Sequence, residues 1–211
     1  KKPFDDIRVR RALTMAIDRW GGSEPLSKIS MLKFVGGFMR PGSDYAIPPQ
    51  ELEKLPGYSR DIANQREEAK RLLKEAGVEN LKINFVNRNI AEPYTPAGIY
   101  VVDQWKRIGV EAEHKQLETK LYFDAQQNRD FDVTIEFIAE FADDPSIQLQ
   151  KLLSKDKNAT ALPGHSDKVV DELFDKQART VDPKERIKIV QELDKRITDN
   201  AYAAMLFWWQ R

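Results

Sequence analysis

The stretch Phe131 to Pro145, FDVTIEFIAEFADDP, carries the most functional weight in this chain, because an alternating apolar segment runs directly into adjacent carboxylates. A strand that ends in an acidic turn presents side chains at the carboxyl edge of a sheet, and ligands of open α/β sheets bind in the crevice outside such edges. The same carboxylates suit a structural task. Asp143-Asp144-Pro145 can cap a helix that starts near Ser146, with proline in its first turn and negative charge at the positive end of its dipole. Both readings stand at this stage, and capping leaves a ligand role open to the residues just before it.

Nucleophilic catalysis finds no parts elsewhere. There is no Gly-x-Ser-x-Gly elbow, no cysteine and only two histidines. His114 falls on the apolar side of an alternating segment and His165 just before a helix cap, so each reads as a structural residue rather than a base or a metal ligand. The spacings of zinc, calcium and phosphate-binding motifs are missing, and the paired glycines lack the third glycine of a dinucleotide turn, so no metal or cofactor is expected. Asn158-Ala159-Thr160 fits a glycosylation triplet that is common by chance. Lys plus Arg and Asp plus Glu both number 34, which gives no basic footprint for nucleic acid. No apolar run approaches the roughly 18 residues needed to span a bilayer. Absence of cysteine is compatible with an oxidising compartment without requiring one.

The elements that would position these residues can be read from periodicity. An amphipathic helix is expected within Lys1 to Trp20, capped by Asp5 or Asp6, with Ile7, Val9, Ala12, Leu13, Ala16 and Ile17 on one face. Glycine and proline pairs from Gly21-Gly22 to Pro56-Gly57 predict a long irregular connection. A helix over Gln65 to Ala76, capped by Asn64 and ended by Gly77, comes next. Then follow a strand at Leu81 to Phe85, a helix from Thr95 to Ile108, a strand at Val110 to Gln116, a helix over Thr119 to Asn128 and a strand from Asp130 to Phe137. Strands separated by helices of this length are joined by crossovers in a mostly parallel sheet, and the class is α/β. The last third is helical, with Val169, Val170, Leu173, Phe174 and Ala178 facing inward on one helix and Ile187, Val190, Leu193 and Ile197 on the next. Ala201 to Trp209 reads as a closing buried strand.

The opening string PFDDIRVRRALTMAIDR resembles the helix that opens the second lobe of the bacterial extracellular solute-binding proteins, family 5, receptors of peptide and nickel ABC importers. Further segments resemble that family in order: Gly57-Tyr58 with Asp61, Leu72-Leu73 and Ala76-Gly77; then Trp105 to Val110; Phe131-Asp132-Val133 leading to Asp144-Pro145; Val170 to Leu173; and Thr180 to Arg186. The resemblance covers nearly the whole chain. It implies that residues 1–211 form a single lobe with the type II periplasmic-binding-protein fold, and that the other lobe is absent from this chain. The Lys-Lys-Pro start and the apolar end at Trp208-Trp209 agree with an excised piece.

What the resemblance implies for function is a non-enzymatic receptor lobe, periplasmic or lipid-anchored through a missing N-terminal part. It would capture a peptide or a related small solute by hinge closure and deliver it to the membrane permease of an ABC importer. Peptide binders of the family carry an acidic residue four before the proline of the acidic turn, where it receives the peptide's ammonium group. Counting back from Pro145 puts Phe141 at that position, with Glu140 beside it and Ile138 where a tryptophan is usual. The expected lining is therefore Ile138, Ala139, Glu140 and Phe141, with Asp143 following. A peptide amino terminus would be held in the familiar way only if the turn shifts so that Glu140 takes over. The alternative is a solute-sensing module of a cytoplasmic transcription regulator that uses the same fold.

Overall fold

The structure is a computed structural model that describes residues 1–138, 142–161 and 163–210. Helix α1 (Ile7–Met15) starts where Asp6 accepts a hydrogen bond from the Arg8 amide at 2.8 Å. It is shorter than its apolar period suggests. Asp18 caps a second helix, α2 (Arg19–Ile29), by accepting from the Gly21 amide at 2.7 Å, so the chain turns between Met15 and Asp18 although Ala16 and Ile17 remain buried. The glycines expected to break structure lie inside α2. A Cβ on Gly22 would sit 2.3 Å from the Tyr100 hydroxyl, so the bare backbone is what lets the two helices approach.

Strand β1 (Leu32–Phe34) and the short α3 (Pro49–Leu52) interrupt the expected irregular connection. Helix α4 (Ile62–Glu75) begins three residues earlier than its Asn64 cap predicts, because Asp61 accepts from the Asn64 amide at 3.0 Å; Gly77, at φ +71°, ends it as expected. Then come β2 (Lys82–Arg88), α5 (Tyr94–Lys106), β3 (Glu111–Leu117), α6 (Thr119–Asn128) and β4 (Val133–Thr134). Asp144 caps α7 (Pro145–Leu149), followed by a single 3-10 turn, α8 (Lys168–Arg179), α9 (Pro183–Asp199) and β5 (Trp208–Trp209).

The sheet order is β3-β2-β4, all parallel, with Ile83 opposite Ala112 and Phe85 opposite both His114 and Val133. β5 pairs antiparallel with β1 in a separate two-stranded sheet. The expected closing strand is thus reduced to its last two residues.

Two apolar cores hold the molecule. One packs Val9, Ala12 and Leu13 of α1 and Ala69 and Leu73 of α4 against Ile83, Phe85 and Trp105. The other joins Phe38 and Met39 to Leu149, Val170, Leu193 and Ile197. On α8 the buried face is rotated from the expected one: Val170, Leu173 and Gln177 point inward while Val169 is 40% exposed and Ala178 faces solvent. Gln177 is buried because its amide group is satisfied on both sides, donating to the Ser146 hydroxyl and accepting from Arg186. On α9, Ile189 takes the inward position expected of Ile187.

Two buried charges tie loops to these cores. Arg19 is 1% exposed and donates to the carbonyls of Thr14 (3.0 Å), Gly57 (2.7 Å) and Met205 (2.8 Å) and to the Thr14 hydroxyl (2.8 Å). Asp194, fully buried on α9, accepts from the amides of Phe38 (2.9 Å) and Met39 (3.2 Å), which fixes the loop that also takes the Trp208 indole bond at Gly37.

Candidate functional site

Because β2, β3 and β4 run parallel, their carboxyl ends share one edge, where open α/β sheets receive ligands. The central strand ends in Asn87-Arg88. Asn87 is fully buried and its side chain organises the edge: Nδ2 donates to the Tyr94 carbonyl at 2.6 Å and lies 3.0 Å from His114 Nε2, while Oδ1 accepts from the Arg88 amide. His114 stacks on Phe85 at 5.1 Å, and burial holds its imidazole below the ordinary value. It is a packing residue, as its place in the strand suggests. His165 stacks on Tyr202 at 3.9 Å with both ring nitrogens buried and without hydrogen-bond partners. That arrangement fits neither a base with an orienting partner nor a metal ligand.

Asn87 turns Arg88 to the opposite face of the sheet. The guanidinium lies over the rings of Phe123 (5.3 Å) and Tyr94 (5.7 Å), and Nε donates to the Thr119 hydroxyl at 3.1 Å. It makes no ion pair with any described carboxylate. A cation fixed on two aromatic faces, without a carboxylate partner among the described residues, suits a carboxylate or phosphate group, which the planar fork can grip through two bonds.

Beside this edge lies a cavity of about 350 Å³, lined mostly by apolar side chains. Phe85 and Trp105 form part of one wall, Ile135 and Phe137 the side toward β4, and Leu206 and Phe207 the side toward β5. Phe137 stacks on Trp209 at 4.5 Å and closes one end. The residues expected to form a closing strand line this space instead, from Ala201 to Phe207. Arg19 holds one wall in place through the Met205 carbonyl. Four charged residues also contribute to the lining: Arg10, Arg40, Asp132 and Glu136.

Of the residues expected from sequence, Ile138 lines the cavity. Asp143 accepts a 3.0 Å salt bridge from Arg40 and is therefore committed to another part of the chain. Asp144 caps α7 through the Ser146 amide at 2.8 Å and pairs with Arg186 at 2.9 Å, so the capping reading of the acidic turn holds. Ala139, Glu140 and Phe141 lie outside the described residues. Sequence reasoning missed Arg88, Tyr94 and Glu136. The available signal was a charged residue at the tip of each of two apolar strands, NRN at the end of β2 and IEF after β4.

Tyr122, 0% exposed, anchors this part of the edge: its hydroxyl bonds the Ile135 carbonyl and lies 2.9 Å from Glu136 Oε2. Burial, and then the Glu136 charge, push its phenol above the ordinary value. Among the described residues no cluster of three or more histidine, cysteine, aspartate or glutamate side chains is placed to hold a metal ion, and no helix is long and apolar enough to cross a membrane.

A parallel sheet whose carboxyl edge carries an arginine and lies next to an apolar cavity defines an α/β binding fold. The sequence pattern of the bacterial extracellular solute-binding proteins, family 5 Middle, matches residues 1–160, and the chain belongs to that family. It is 30% identical over 205 residues to the periplasmic oligopeptide-binding protein OppA of Salmonella typhimurium, covering 92% of this chain and 36% of that protein. The chain thus spans about a third of the length of such relatives. The Escherichia coli murein tripeptide-binding protein MppA superposes with a TM-score of 0.84 at 24% identity, over 99% of this chain and 40% of that one. A solved peptide-binding protein of a peptide ABC transporter superposes with a TM-score of 0.74 at 17% identity, over 97% of this chain and 92% of that one. The α/β fold expected from the resemblance is the fold observed.

Proposed function

We propose that this chain is one lobe of an extracytoplasmic, periplasmic receptor of an ABC importer. It binds a peptide or a related small solute without chemical conversion, closes on it together with a second lobe, and delivers it to the membrane permease. The observation that carries this reading is the apolar cavity at the carboxyl edge of the sheet, with Arg88, which pairs with no described carboxylate, at the end of the central strand. Apolar side chains of a solute would be desolvated in the cavity, while its carboxylate is held by Arg88. Family membership and the peptide-binding names of the relatives support the solute class. Closure by a hinge is the motion by which two-lobed binding proteins enclose ligands. The family is one of solute-binding proteins, and the proposed role needs no catalytic step.

If a complete receptor binds near ~1 μM, about −8 kcal/mol, and each lobe supplies half of that, the lobe alone binds in the millimolar range. The test therefore uses the receptor containing this segment, analysed by native mass spectrometry for co-purifying solute. Calorimetry with tripeptides bearing either a free or an amidated carboxyl end then follows. Free-carboxylate peptides are expected to bind about tenfold or more tighter than amidated ones, and Arg88→Met to abolish the difference. A receptor that retains no peptide, or whose affinity is indifferent to both amidation and Arg88→Met, refutes the reading.

A further inference from the structure

The charges around the cavity are unequal in one respect. Asp132 pairs with Lys1 at 2.6 Å and accepts from the Asn84 amide; Asp143 pairs with Arg40 and Asp144 with Arg186. Glu136, the other carboxylate in the lining, has only neutral donors: Gln126 Nε2 at 2.8 Å and the Tyr122 hydroxyl at 2.9 Å on Oε2, and the Phe137 amide at 2.9 Å on Oε1. An ionised carboxylate has about four acceptor positions, so one on Oε1 stays open. The neighbouring Lys151 ammonium donates to the Phe137 carbonyl, and Arg88 lies over the ring of Tyr94. Among the described residues Glu136 makes no ion pair.

The side chain is also held rigidly. Tyr122 and Gln126 come from α6, whose position is set by packing on the sheet, and both are fixed against the strand end that carries Glu136. A carboxylate oriented by neutral donors, lining a cavity and without a counter-ion among the described residues, is an arrangement completed by a cation from outside.

We infer that Glu136 receives the cationic group of the solute, its ammonium in the case of a peptide. This rests on the receptor reading above. Together with Arg88 it makes the edge complementary to a solute that carries both signs of charge.

The test is an amide NMR titration of the receptor containing this segment with trialanine and with N-acetyl-trialanine, in the wild type and in Glu136→Gln, Glu136→Asp and Glu140→Gln. The wild type is expected to bind trialanine about tenfold more tightly than its acetylated form, with shifts centred on Thr134 to Phe137. Glu136→Gln should erase that preference while leaving the acetylated peptide within about twofold. Glu136→Asp, which keeps the charge, should retain it even if the glutamine variant fails to fold. Equal weakening of both peptides by Glu136→Gln, loss of the preference in Glu136→Asp, or its loss in Glu140→Gln instead overturns the inference and leaves the receptor reading standing. A wild type that binds neither peptide at about 20 mM removes the peptide reading and the inference with it.

Discussion

Replacing Arg19 by methionine tests whether one buried cation holds the cavity wall. The guanidinium is 1% exposed, has no carboxylate among its partners, and spends its donors on the Thr14, Gly57 and Met205 carbonyls and the Thr14 hydroxyl. It also lies over the Tyr58 ring at 4.6 Å. Burial lowers its pKa from the usual arginine value, which records the cost of carrying the charge inside. Methionine removes that cost but takes the donor from the Gly57 and Met205 carbonyls, each worth about 1–3 kcal/mol when buried and unsatisfied, while the Thr14 carbonyl keeps the Ile17 amide. Net losses for breaking buried charged networks run to about 3–5 kcal/mol, against a typical total stability of about 5–15 kcal/mol. With a urea slope of about 2 kcal/mol/M, the midpoint should fall by roughly 2 M in a circular-dichroism titration. Arg19→Lys keeps a charge but cannot fan its donors to the same carbonyls, and should recover less than half of the loss. A shift below about 0.5 M for methionine, or a lysine variant equal to wild type, refutes the staple.

Asp194 should give a pH signature of its own. Burial raises its carboxyl from 3.8 to about 6, against the opposing pull of the Phe38 and Met39 amides and Thr198. The folded state therefore binds the proton more tightly, so this group's contribution to stability is fully present below about pH 4 and is lost as pH rises through about 6, with a ceiling near 3 kcal/mol. Asp194→Asn should flatten that part of the stability-pH curve in urea titrations between about pH 4 and 7, and an unchanged slope would contradict the assignment. His165 acts in the other direction, since burial lowers its pKa from 6.5 and acidification through that range costs stability, so the variant is compared with wild type at every pH. Gly22→Ala places a methyl against the rigid Tyr100 ring, and overpacking of about 1–3 kcal/mol outweighs the roughly 1 kcal/mol gained in helix propensity. A variant that melts higher than wild type would show that α2 and α5 are not in close contact.

Much of the architecture is local and was therefore legible in the residues. Asp182 ahead of Pro183 and Asp6 ahead of the α1 stripe cap their helices through their own side chains, and alternation at Ile83 and Phe85 marks the central strand. Crossover spacing defined the parallel order, and the ordered family segments defined the family. Local pattern failed where a distant partner decides. Gly22 reads as a breaker until Tyr100 packs against it, and Ala201 to Trp209 reads as a full strand until β4 declines to pair with it. The face of α8 is set by what Gln177 can bond across the molecule.

The site divides in the same way. Phe131 to Pro145 could be singled out because composition alone shows an apolar strand entering an acidic turn. Which of its charges remain uncommitted could not be read, because Asp132, Asp143 and Asp144 find cations at positions 1, 40 and 186 while Glu136 finds only neutral donors. Helix caps and strand periods depend on neighbours a few residues away and are fixed by sequence. Charge neutralisation and an apolar cavity depend on groups brought together across the whole chain, and only the tertiary structure decides them.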